Sequence, residues 1–113
     1  METKNPKPEH VEDIHKYALE LSKEIETAPD IVEWLNEQLS LEIWKKDDGA
    51  WKAEILITMG GPTVRLEIDS RYTYATLFHS MGWSDSHGET LERNISETAT
   101  EILKDFIEDC CLN

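Results

Sequence analysis

The chain has 113 residues, 39% of them hydrophobic, which allows one core of ordinary size and not two. Its 24 acidic residues outnumber 11 basic ones, and the net charge of −13 argues against DNA, RNA and anionic lipid as direct ligands. No apolar run is long enough to cross a membrane, and METKNPKPEH has no apolar signal region, so a cytoplasmic location is expected.

The charge instead favours a basic protein as partner, and proteins that handle nucleic acid are the largest class of those. Acidity as a halophilic trait fits less well, because eight of the eleven basic residues are lysines. Two adjacent cysteines, Cys110 and Cys111, make neither a disulfide framework nor a zinc set. Cys110 is expected to pack as a small hydrophobe at the end of a helix.

Residues 1–8 are expected to be a disordered lead, with residues 9–113 forming a single α+β domain. Val11, Ile14, Ala18, Leu21, Ile25 and Ala28 recur at three- and four-residue steps, which predicts an amphipathic helix ending near Ala28-Pro29. Its seam could serve a coiled-coil dimer but lasts under three heptads, so packing on the protein's own sheet is preferred. Asp30 can cap a second, short helix, with Glu33 at capping-box spacing and Ile31, Leu35 and Leu39 facing inward.

From Leu41 the period changes to two. If Asp47-Asp48-Gly49 form a three-residue loop with Gly49 left-handed, Lys45 faces Trp51, Ile43 faces Ala53 and Leu41 faces Ile55. That register keeps the apolar residues on one face, which a two-residue turn would not do. In the next hairpin Gly60-Gly61 can form the turn, pairing Ile57 with Val64, Ile55 with Leu66 and Ala53 with Ile68. A phosphate loop would need a helix after the glycines and basic surroundings; here a strand follows, with Glu54, Glu67 and Asp69 near. A fourth strand is expected over residues 72–79, in a register that two- and three-residue loops leave open. A loop over residues 80–88 then leads to a final helix from about Glu89, with Leu91, Ile95, Ala99, Leu103 and Ile107 on its apolar side. The fold class is therefore α+β, a four-stranded antiparallel meander packed by an N-terminal helix, a short helix and a C-terminal helix.

Nothing in the pattern points to catalysis, a metal or a cofactor. His79 and His87, with Asp85 and Glu89, lack a recognised ligand spacing. Ser84-Asp85-Ser86-His87 holds the three residue types of a hydrolase triad, but neighbours in one loop rarely converge and no nucleophile elbow is present.

Two surfaces are candidates for partner binding. Opposite the apolar side of the last helix, Glu97, Glu101, Asp105 and Glu108 fall within a sector of roughly 80°, a line of negative charge whose first three members are about 6 Å apart. On the sheet side facing away from the helices, Trp44, Glu54 and Glu67 combine an aromatic with acids, and one register of the last hairpin adds Tyr72, Tyr74 and Phe78. Alternatively, Trp44 stacks on Lys52 and only shields the sheet.

The run Gly60-Gly61-Pro62-Thr63-Val64, then strand, turn, strand, Gly82-Trp83 and an acidic helix over residues 102–109, is similar to small acidic proteins encoded by phages and other mobile elements. The likeness spans residues 53–109, with Thr63 where Asn is commoner. In size, charge and helix–sheet–helix order the chain also resembles anti-CRISPR proteins that mimic DNA. The resemblance implies an inhibitor that occupies the nucleic-acid site of a CRISPR effector or similar defence complex, without a catalytic residue. An antitoxin or adaptor that binds another basic host protein is the alternative.

Overall fold

The computed structural model describes residues 13–58, 63–80 and 90–112. Two helices come first, α1 (Asp13–Thr27) and α2 (Ile31–Asn36). Five strands follow, β1 (Ser40–Lys45), β2 (Trp51–Thr58), β3 (Thr63–Asp69), β4 (Thr76–Ser80) and β5 (Thr90–Asn94). The chain ends in α3 (Glu97–Phe106), which widens into a π-helical turn, Ile107–Cys111. The class is α+β as expected, but among the described residues the antiparallel sheet has five strands, not four, in the order β1-β2-β3-β4-β5.

Among the described residues the sheet buries one face. Along β2, β3 and β4 buried residues alternate with half-exposed ones, so Ala53, Ile55, Leu66, Ile68 and Leu77 point inward at the period of two. The helices cover that side with Ile14, Tyr17, Leu21, Ile25, Ala99 and Leu103, all buried in the same cluster. The α1 seam is therefore used internally, and the expected packing on the sheet holds. Val11 and the lead lie outside the described residues.

Asp30 caps α2 as expected, accepting from the backbone N–H of Val32 at 3.0 Å and of Glu33 at 3.4 Å. Leu35 is buried, but Leu39 is 58% exposed, because α2 has ended and the chain is already turning into β1. Trp34 takes the inward place that Leu39 was expected to share.

The β1–β2 register is the expected one: Lys45 opposite Trp51, Ile43 opposite Ala53, Leu41 opposite Ile55. Gly49 has φ +91°, the left-handed value that the three-residue loop demands. In the β2–β3 pair, Ala53 meets Ile68 and Ile55 meets Leu66, but Val64 meets Thr58 and not Ile57. The register shifts after Leu56, so one extra residue enters β2 as a bulge and Thr58 turns inward in place of Ile57. Gly60, Gly61 and Pro62, where a turn is expected, lie outside the described residues.

Two elements differ more. β4 starts at Thr76, so Tyr72 and Tyr74 belong to the preceding loop; that loop opens on a turn in which Tyr72 N–H bonds the Asp69 carbonyl at 3.0 Å. The helix expected from Glu89 begins at Glu97. Residues 90–94 are instead a fifth strand, whose Leu91 pairs with His79. Ser96 is the true N-cap, its Oγ accepting from Ala99 N–H at 3.1 Å.

A hydroxyl relay fixes α3 to its neighbours. Ser22 Oγ donates to the Ala18 carbonyl and accepts from Ser96 N–H, each at 2.9 Å. Thr100 Oγ1 accepts from Ala75 N–H and donates to the Ser96 carbonyl, again at 2.9 Å. Ser96 Oγ also donates to the Glu26 carboxylate. These bonds hold one side of α3 in the core and leave the opposite side to solvent.

Candidate binding surface

Glu97, Glu101 and Asp105 lie along the solvent side of α3, all exposed, while Ala99, Thr100 and Leu103 fill the core. None of the three makes an ion pair among the described residues. The neighbouring cation, Lys104, donates instead to the Tyr72 carbonyl. Glu108 departs from the line. It sits in the π turn and accepts a hydrogen bond from the Trp51 indole N–H at 3.2 Å, which ties the end of α3 to β2.

The sheet residues form a separate group. Glu54 and Glu67 stand directly opposite each other on β2 and β3, where like charges would repel. Arg65 relieves this by reaching Glu54 at 2.8 Å and Glu67 at 3.1 Å, and Lys52 reaches Glu67 at 3.3 Å. The Arg65 guanidinium also lies over the Phe78 ring, 4.3 Å from its centroid, which places Phe78 on this outer face. The acids here are thus consumed within the sheet. Trp44 is 47% exposed and stands opposite Lys52 in register, but the Lys52 ammonium turns to Glu67. Tyr74 is exposed too, and with Tyr72, Lys46, Arg71 and Phe78 lines a shallow depression of about 460 Å³. Arg71 folds back on Asp69, and its hydrogen bonds hold the Asp69 carboxyl below its usual range.

The eight expected residues therefore fall on two opposite sides of the molecule. Glu97, Glu101 and Asp105 are on the outside of the helical layer, whereas Trp44, Glu54, Glu67 and Tyr74 are on the open side of the sheet. A single flat partner surface cannot meet both. Glu108 belongs to neither group, bonded to Trp51 of the core.

A further acidic feature was not foreseen from the sequence. Between α1 and α2 a groove of about 190 Å³ is lined by Glu24, Asp30, Glu33 and Glu37, with Trp34 as its wall. The Trp34 indole N–H donates to Glu24 at 2.8 Å. The signal was the i, i+4 pair Glu33 and Glu37 beside the capping Asp30, but their convergence with Glu24 depends on how the two helices meet. Together these features segregate charge. Residues 13–37 and 97–112, the helical layer, carry twelve acids against three lysines; residues 40–80, the hairpins, carry six acids against five bases.

Comparison of the chain with family models, with curated proteins and with solved structures gives no match in any of the three. No group of three or more metal-ligating side chains occurs among the described residues. His79 points into the core from β4, between Val64 and Leu91, and His87 lies outside the described residues. Cys110 is exposed, contrary to the expected packing, and Cys111 is the one turned toward the core. Burial, then the neighbouring Cys110, raises the Cys111 thiol above its ordinary value. No described helix is long and apolar enough to cross a membrane.

Proposed function

We propose that this chain is an acidic inhibitor of the anti-CRISPR type, which binds a basic nucleic-acid groove on a defence complex and acts by occupying it. The observation that carries the reading is the segregation of charge: the helical layer is strongly negative, and the sheet has nearly balanced its own. Placement of the acids adds support. Glu97, Glu101 and Asp105 stand exposed along one side of α3 and make no ion pair among the described residues, so they are open to a partner's Lys and Arg side chains.

In this reading Glu97, Glu101 and Asp105 are the contact line, and the α1–α2 groove extends the negative surface. Glu54 and Glu67 are structural, since Arg65 and Lys52 already neutralise them. Trp44 and Tyr74 take no part in the contact. The exposed Tyr72 and Tyr74 favour a second reading, an adaptor that binds through the open sheet face.

Affinity capture with tagged protein from a CRISPR-bearing host, run with and without excess duplex DNA, tests the proposal. A nucleic-acid-handling complex recovered alone and displaced by the DNA is the expected result. A partner that stays bound in excess DNA would refute occupancy of the nucleic-acid site and favour the adaptor.

A further inference from the structure

The β1 edge of the sheet, one of its two edges, is a place where this chain can join another strand. Among the described residues β1 pairs with β2 alone, so every second residue has its backbone N–H and C=O directed away from the sheet. Lys46 N–H bonds the Ala50 carbonyl at 2.8 Å, and Ser70 N–H bonds the Trp51 carbonyl at 2.9 Å. By alternation, Trp44 and Glu42 bond to β2, and Leu41, Ile43 and Lys45 present their backbone groups outward. The flanks are apolar. Trp44 is 47% exposed, Leu39 58% and Val32 44%, and a groove of about 340 Å³ bounded by Val32, Leu41, Phe106 and Cys111 runs alongside.

We propose that β1 pairs with β1 of a second copy of this chain, antiparallel and two-fold symmetric about Ile43. Charge favours that occupant. Most of the molecule repels its own copy, but this edge holds one acid, Glu42, against two lysines, Lys45 and Lys46. Centring the pair on Ile43 engages all three outward-facing residues. It sets Ile43 beside its counterpart on the core side and Leu41 opposite Lys45, whose aliphatic stem can cover the apolar groove. On the open side Glu42 stands opposite Trp44 and diagonal to Lys46 of the second copy, within reach of a long side chain. Pairing of this kind keeps both helical layers on one side of a continuous ten-stranded sheet and leaves each α3 acid line exposed.

Sedimentation equilibrium of the full chain from micromolar to submillimolar concentration tests the pairing. A concentration-dependent mass approaching twice 13.1 kDa is expected. Ile43→Pro removes an N–H that the protein's own sheet does not use, so it should leave the circular dichroism in place and abolish the dimer. Should that variant lose its fold, Glu42→Lys should weaken the dimer several-fold, and Glu42→Lys with Lys46→Glu should restore it. A monomeric mass at every concentration overturns the proposal and leaves the edge to a strand of a different protein. A folded Ile43→Pro variant that dimerises like the parent overturns it as well, as does a charge swap with no rescue.

Discussion

Thr100 is fully buried and uses both capacities of its hydroxyl, accepting from Ala75 N–H and donating to the Ser96 carbonyl. Thr100→Val keeps the shape and strands the Ala75 N–H, while the Ser96 carbonyl still accepts from the Thr100 N–H at 3.0 Å, so the expected cost is about 1–3 kcal/mol. It should appear as a lower urea midpoint with an unchanged slope. Tyr17 makes a different kind of statement. Burial, then the nearby Glu24 carboxylate, pushes its phenol up to about 12. The unfolded chain releases that proton near pH 10, so the folded state holds the proton longer. Tyr17 therefore adds stability that is complete below pH 10 and disappears as pH rises through about 12, at most about 2–3 kcal/mol. Unfolding measured between those limits should weaken steeply in the parent and less so in Tyr17→Phe.

Elements differ in how much of them local sequence decides. The β1–β2 hairpin was legible because Gly49 and the alternation of Leu41, Ile43, Ala53 and Ile55 point to one register. Gly49→Ala meets no atom within 4 Å, so its cost is purely that of the left-handed backbone, about 1 kcal/mol. A shift in the thermal midpoint with an unchanged circular dichroism spectrum would measure it. The bulge in β2 was not legible, since an extra residue changes no pattern until the partner strand is present. Nor was β5. Leu91 and Ile95 are four apart, a helical spacing, and only the pairing with β4 makes residues 90–94 a strand. The cue that local chemistry did offer was Ser96, three residues before the Ala99 N–H that it caps. For the site, the α3 line followed from helical period alone and survives in three of four residues. Glu108 left it because the helix widens and Trp51 supplies a donor, facts of tertiary packing.

At the scale of the whole molecule, composition gave the sign of the charge but not its distribution. Glu54, Glu67 and Asp69 of the sheet are paired with Arg65, Lys52 and Arg71, whereas the helical layer sets twelve acids against three lysines, so charge is polarised between the two sides. That polarity is the central claim, and comparing two charge variants against the captured complex tests it most directly. One carries Glu97→Lys, Glu101→Lys and Asp105→Lys on the helix; the other carries Trp44→Ala and Tyr74→Ala on the open sheet side. Both alter exposed residues, so both should retain the parent's fold by circular dichroism. Binding abolished in the helix variant and kept in the sheet variant is the expected result. Binding kept in the helix variant and lost in the sheet variant would contradict it and move the contact to the open side of the sheet.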